Sequence, residues 1–123
     1  FEILANKNKL TQVFINLIDN AINYSKEKTQ IKISFDKSIK QDKSFLKISV
    51  IDVGEGIEKK HLNRITQRFY RVDKDRSRKQ GGTGLGLAIV KHIIQRHQGE
   101  LSIKSETGVG SVFSVFLPIE NIN

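Results

Sequence analysis

Glycine clusters divide this chain, and the regular elements have to fit between them. Asp52-Val-Gly54-Glu-Gly56-Ile57, Gly81-Gly82-Thr83-Gly84-Leu85-Gly86-Leu87 and Gly108-Val-Gly110-Ser111 follow in that order. An asparagine-bearing stretch, Asn16-Leu-Ile-Asp-Asn20-Ala21, precedes them. Glycine weakens helix and strand interiors but permits tight turns and close backbone approach. Each cluster therefore marks a turn, and the periodic segments lie between turns.

Asn6 is placed to cap a helix over Lys7–Tyr24. Leu10, Val13, Phe14, Leu17, Ile18, Ala21 and Tyr24 keep the spacing of one buried helical face. Thr29–Asp36 alternates, with Ile31, Ile33 and Phe35 expected inward as a half-buried strand. Lys37–Ser44 is polar and reads as a hairpin loop. Phe45–Asp52 places Leu46, Ile48, Val50 and Asp52 on one strand face. Glu58–Ile65 suits a short helix, and Thr66–Gly82 is a long polar stretch with no sustained period. Such loops are usually functional lids or disordered. Leu85–His97 reads as a second long helix with Leu87, Val90, Ile93 and Ile94 inward, stopped by Gly99. Leu101–Lys104 and Ser111–Leu117 form a final antiparallel hairpin, ended by Pro118. The pattern predicts one domain spanning residues 1–123: an α/β two-layer sandwich of a mixed sheet with helices on one face.

The length, 123 residues, allows a core without staples, since a chain of this size buries roughly 60–70% of its unfolded surface. Absence of cysteine excludes disulfides and thiolate metal sites. No apolar run is long enough to span a bilayer, so no membrane contact is expected of this segment. The chain opens on Phe1, which reads as a segment of a longer protein whose anchor or targeting signal would lie elsewhere. The net charge of +8 is concentrated between Lys59 and Lys79, beside a glycine cluster. That placement suits a small polyanion better than nucleic acid, for which no recognised motif is present.

The motifs carry complementary chemistry. On an ideal helix Asn16, Asn20 and Asn23 fall within roughly 60° of each other. Asparagine is a mediocre helix former, so three on one face need a reason. A carboxamide oxygen suits Mg²⁺, and its NH₂ group can donate to a phosphate. Asp52 ends an apolar strand, where its carboxylate can accept from an exocyclic amine such as that of adenine. The Gly81–Gly86 run opens a helix N-terminus, where orphan N–H groups and the dipole favour phosphate. It is neither a P-loop nor the dinucleotide fingerprint, because no Gly-Lys-Ser/Thr follows and Leu87 stands where a third glycine is needed. His61, His92 and His97 share no metal-ligand spacing and read as surface or helix-terminal residues.

In this order and spacing the motifs resemble the catalytic and ATP-binding domain of bacterial sensor histidine kinases, within a superfamily that includes gyrase-type ATPases and heat-shock chaperones. The likeness runs from Asn6 to Pro118. Asn16-Leu-Ile-Asp-Asn20-Ala-Ile-Asn-Tyr24-Ser25 looks like the N box and Asp52–Ile57 like the G1 box. Arg68-Phe69-Tyr70-Arg71-Val-Asp73 looks like the F box, Gly82–Leu87 like the G2 box, and Gly108–Ser111 like the last glycine turn.

The resemblance implies a Bergerat ATP-binding fold with ATP and Mg²⁺ as cofactors. It places adenine against Asp52 and Tyr24, Mg²⁺ at Asn20, and Asn16 close to the phosphates. Asn23, Gly54, Gly56, Ile57 and Phe69 complete the cofactor contacts, with Gly82, Thr83, Gly84, Leu85 and Gly86. Arg71, in a lid spanning residues 58–81, would reach the γ-phosphate and share the catalytic role with Asn16 and Asn20. The implied reaction transfers that phosphoryl group to a histidine on a separate dimerisation domain of the parent protein, for passage to a response regulator. None of the three histidines lies in the acceptor context, so this chain alone is not expected to label itself. The need for ATP implies a cytoplasmic domain, whether or not the parent is membrane-anchored. Several positions depart from the family pattern. Asn23 stands where Lys is frequent, Thr66-Gln67 where Phe-Glu is usual, and Asn6 where Asp is common. The upstream strand and helix that often complete the domain are not in this segment, which leaves an exposed sheet edge expected. Alternatives are a serine kinase of the anti-sigma type, a gyrase-type hydrolase with Asp19 polarising water, and a degenerate ATP-binding module.

Overall fold

A computed structural model of the chain describes residues 3–70 and 86–119. Chain order runs α1 (Lys7–Tyr24), β1 (Lys32–Lys40), β2 (Lys43–Asp52), α2 (Lys59–Leu62), α3 (Gly86–Arg96), β3 (Glu100–Glu106) and β4 (Gly110–Pro118). The strands lie in the order β1-β2-β4-β3. All three pairings are antiparallel, so the sheet of the described residues is antiparallel throughout rather than mixed. Strands β2 and β3 are each antiparallel to β4 between them, so they run in the same direction without pairing, and the chain crosses over between them.

The asparagine cap forms as the sequence implies. Asn6 is extended, and its side-chain oxygen accepts from the Lys9 N–H at 3.0 Å, satisfying one orphan donor of α1. The buried stripe is Val13, Leu17 and Ala21, with Leu10 and Phe14 packed alongside. Helix α3 runs antiparallel to α1 and contributes Val90, Ile93 and Ile94. The two helices form one core with Ile48 and Val50 of β2 and Phe113, Val115 and Leu117 of β4. These strand residues share one face because Val50 opposes Phe113 and Ile48 opposes Val115. Burying each such side chain is worth about 1.5–3 kcal/mol.

The end of α3 differs in detail from its sequence reading. Gln98, not Gly99, takes the left-handed conformation, with φ +59°. The Gly99 N–H donates to the Ile94 carbonyl at 2.9 Å and the Gln98 N–H to Gln95 at 3.0 Å, which closes a Schellman turn. The β1–β2 connection is shorter than the polar stretch suggested. Strand β1 runs to Lys40, and only Gln41 and Asp42 turn, both left-handed at φ 49° and 63°. A two-residue turn of that kind matches the strand twist.

Strand β1 departs most from expectation. Ile33 and Phe35 point to the helix side of the sheet, opposite Val50 and Ile48, yet they are 44% and 66% exposed, and Ile39 is 69% exposed. Helix α1 lies over β2 and α3 over β3 and β4, so no described helix covers the edge strand. On the opposite face Phe116 is shielded by lysine: the Lys40 Nζ sits 3.7 Å from its ring centroid. Ser49 and Ser114 share a buried 2.8 Å hydrogen bond beside it.

The contrast between stripe and edge is measurable. Leu17→Ala should lower unfolding free energy by about 2–5 kcal/mol in urea titrations, because the site is closed on all sides. Phe35→Ser should stay within about 0.5 kcal/mol of the parent chain. Equal losses at the two positions would show that β1 is packed after all.

Candidate functional site

Three backbone contacts join the end of α1, the Asp52–Ile57 turn and the Gly108–Ser111 turn. Ser25, just past α1, forms an antiparallel bridge with Gly54. A Cβ on Gly54 would stand 2.3 Å from the Tyr24 carbonyl oxygen, so only glycine permits this approach. Gly56 has φ +76°, and a Cβ there would meet the Glu106 carbonyl at 2.3 Å. Gly110 closes the third contact, because its Cβ would meet the Asp52 carbonyl at 2.2 Å. The Gly108 N–H donates to the Glu55 carbonyl at 2.7 Å and holds the two turns together.

Asp52 is at the centre of this junction. It ends β2 on the helix-facing side and is 7% exposed. Burial raises the pKa of its carboxyl above the usual carboxylate value, and the backbone N–H of Ser111, donating to Oδ1 at 3.2 Å, offsets part of that rise. A carboxylate held in this way has unused acceptor capacity for a ligand donor.

The asparagine face of α1 runs away from this end. Asn16, Asn20 and Asn23 are all half-buried. Asn16 Nδ2 is buried and has no hydrogen-bond partner among the described residues. Its carboxamide carbon lies 4.0 Å from where a Cβ of Gly86 would be, so it faces the first turn of α3. A buried donor without a partner is costly, and here it sits beside a helix N-terminus. From Asn16 to Tyr24 is about 12 Å along the helix. Tyr24 is half-buried at the last residue of α1, and Ile57 packs against the core.

Of the sequence-expected site residues, the structure brings together Tyr24, Asp52, Gly54, Gly56 and Ile57 at one end. Asn16 and Gly86 meet at the other, and Asn20 and Asn23 stand on the helix between. Phe69 is 70% exposed and left-handed at φ +64°, an uncommon backbone for a bulky residue. Arg71, Gly82, Thr83, Gly84 and Leu85 lie outside the described residues. Among the described residues no cluster of three or more His, Cys, Asp or Glu could hold a metal ion. A hard cation here would need carboxamide, water or ligand oxygens. That fits Asn20 and a phosphate-bearing ligand.

Sequence reasoning passed over the partners of two histidines. His61 Nδ1 is hydrogen-bonded to the Tyr70 hydroxyl, and Arg64 stacks over the Tyr70 ring at 4.8 Å. His97 accepts from the Asn6 N–H through Nε2 at 3.0 Å, and its Nδ1 bonds the Ile93 carbonyl at 2.8 Å. Ser111 was visible only as a member of a turn. Its backbone contact with Asp52 depends on strand register, which spacing alone does not reveal.

The family model described as histidine kinase-, DNA gyrase B- and HSP90-like ATPase matches residues 5–121. The chain belongs to that family. The HATPase chain is 46% identical over 112 residues to the sensor histidine kinase WalK of Bacillus subtilis, covering 91% of itself and 18% of WalK. It is 45% identical over 106 residues to the phosphate regulon sensor PhoR of Pseudomonas aeruginosa, covering 86% of itself and 23% of PhoR. This HATPase chain thus spans about a fifth of the curated relatives it matches here. The catalytic domain of histidine kinase ThkA superposes with TM-score 0.75 at 29% identity, over 94% of this chain and 70% of that one. Mycobacterial MprB, at 24% identity and TM-score 0.78, shares the fold over 94% of this chain and 74% of its own. The chain is thus of the ATP-binding catalytic type found in sensor histidine kinases, with the Bergerat sandwich expected of it. The serine-kinase and hydrolase alternatives are not favoured. No helix among the described residues is long and apolar enough to cross a membrane.

The buried carboxyl gives the HATPase domain a pH signature. Because burial raises the Asp52 pKa above its unfolded value, protonation favours folding. That contribution is full below the ordinary carboxylate pKa and is lost as pH rises through the raised value. Asp52→Asn should therefore raise the unfolding midpoint of the ligand-free chain at neutral pH. The gain should shrink as pH falls toward about 4. Thermal melts across that range provide the check, and a lower midpoint for the variant at pH 7 would refute it.

Proposed function

We propose that this chain is the ATP-binding catalytic domain of a histidine autokinase, a single domain over residues 1–123 with residues 58–81 as its ATP lid. The observation that carries the reading is the buried Asp52 carboxylate at one end of the asparagine face, with the unpartnered Asn16 amide at the other. A ligand with a base amine at one end and phosphates at the other answers both.

In this reading Asp52 accepts from the exocyclic amine of adenine, and the Ser111 N–H keeps the carboxylate oriented. Gly54 and Gly56 allow the backbone to lie close to the ring, beside Tyr24 and Ile57. Asn16 donates its orphan Nδ2 hydrogens to phosphate oxygen, and Asn23 supports the same region. Asn20 presents its carboxamide oxygen to Mg²⁺. The N–H groups of Gly82, Thr83, Gly84, Leu85 and Gly86 cradle phosphates at the start of α3. Arg71 neutralises charge at the γ-phosphate, and Phe69 is the apolar contribution of the lid. Bound ATP with Mg²⁺ supplies the phosphoryl group to be transferred. The chain's residues position and neutralise, as phosphoryl transfer mainly requires. The acceptor is a histidine on a dimerisation domain of the parent protein, and a response regulator receives the group next. That places the domain in the cytoplasm, with no nucleic-acid partner, whether or not the parent is anchored in a membrane.

Incubation with γ-labelled ATP should leave this chain unlabelled and label an added dimerisation domain. Stable labelling of the chain alone would overturn the division of roles. Calorimetry with a non-hydrolysable ATP analogue and Mg²⁺ tests the pocket separately. Asn20→Asp should weaken binding about tenfold or more, because a new carboxylate repels the phosphates. Unchanged affinity would remove Asn20 from the metal and phosphate site.

A further inference from the structure

Ser105 lies in β3, outside every motif, yet its hydroxyl joins both glycine turns. The Ile57 N–H donates to Ser105 Oγ at 2.7 Å. Ser105 Oγ in turn donates to the Gly110 carbonyl at 3.1 Å. Ser111 Oγ lies 2.8 Å from Ser105 Oγ. One arrangement satisfies all three contacts. Ser105 donates its single hydrogen to Gly110, and accepts from the Ile57 amide and the Ser111 hydroxyl, which fills its capacity of one donor and two acceptor sites.

We infer that Ser105 is a positioning residue for base recognition: it locks the Asp52–Ile57 turn to the Gly108–Ser111 turn and so fixes where the Asp52 carboxylate points. The inference rests on the reading of Asp52 as the acceptor of the adenine amine. The coupling runs through two short links. Ile57 ends the turn that begins at Asp52, and Gly56 within it is already pressed against the Glu106 carbonyl, next to Ser105 in sequence. On the other side Ser111 joins both residues, through its hydroxyl to Ser105 and through its backbone N–H to Asp52 Oδ1 at 3.2 Å. Removing the Ser105 hydroxyl leaves the Ile57 amide without this acceptor and releases the Gly110 carbonyl, which belongs to the same peptide unit as the Ser111 N–H that orients Asp52. Asp52 then keeps its charge and loses its fixed direction. The consequence belongs to selectivity for the amine more than to affinity for the phosphates, which bind at the far end of α1.

The test compares binding of a non-hydrolysable ATP analogue with that of the matching purine riboside triphosphate analogue, which lacks the exocyclic amine. Wild type should prefer the adenine form. Ser105→Ala should cut that preference roughly tenfold, about the effect of one hydrogen bond to a charged group. The same change made in an Asp52→Asn background should alter the preference no further. A folded Ser105→Ala chain that keeps the wild-type preference overturns the inference while leaving the Asp52 reading intact. A wild type that shows no preference overturns the Asp52 reading and this inference with it. Should Ser105→Ala fail to fold, amide exchange at Ile57 in the wild-type chain decides. Protection is expected, and exchange at the rate of an unbonded amide overturns the bond on which the inference stands.

Discussion

A carboxyl group is buried at the end of an apolar strand, and much of the site follows from keeping it there. Asp52 is 7% exposed with one backbone donor, from Ser111. Burying a charge without full compensation is unfavourable. The fold tolerates it because two turns close around the residue, and each closure needs a position without a side chain. Gly54 admits the Tyr24 carbonyl, and Gly110 admits the carbonyl of Asp52 itself. The glycine clusters of the sequence are thus a condition for placing the acid, before any phosphate is considered. Burial raises the pKa of this carboxyl, and the Ser111 N–H offsets part of that rise.

A second unsatisfied group stands at the other end of the same helix. Asn16 Nδ2 is buried against the start of α3 without a partner among the described residues. The antiparallel packing of α1 on α3 forces this meeting, because the core stripe Val13-Leu17-Ala21 fixes the rotation of α1. Asn16 and Asn20 each precede or follow a stripe residue by one position, so the packing that buries the stripe also half-buries the asparagines. Core and site share one helix, and the hydrophobic face orients the polar one.

What the sequence made legible was what local period and capping determine. Helix α1 has eighteen residues of helical spacing after an asparagine cap, and the structure places both as expected. The inward face of β2 was equally plain, since Leu46, Ile48 and Val50 alternate with Lys47 and Ser49. The same alternation misled at β1. Ile33 and Phe35 do face the helix layer, but period 2 says which side a residue points to and nothing about whether a helix covers it. The short turn was hidden because Gln41 and Asp42 accept left-handed backbone without the usual glycine. Ser105 had no signal at all: a lone serine in a strand acquires meaning only when register sets it beside Ser111. The resemblance named residues at both ends of the candidate site, and the closures between them came from three dimensions.

The histidines separate binder from acceptor in physical terms. A histidine that accepts a phosphoryl group needs a ring nitrogen with a free lone pair directed at the donor. His97 has none to spare: Nε2 accepts from the Asn6 amide, which leaves the proton on Nδ1 to donate to the Ile93 carbonyl. That ring stitches the end of α3 to the start of α1, the end of the helix pair away from Asn16 and Gly86. His61 is engaged through Nδ1 with Tyr70, at the foot of the proposed lid. His92 is exposed, six residues and about 9 Å along α3 from Gly86. Of the three rings, His97 has both nitrogens committed to the fold, His61 has Nδ1 engaged, and His92 stands along α3 away from Gly86. On the proposed function, an acceptor presented by another domain lets docking regulate a transfer that a histidine built into the pocket would leave always on.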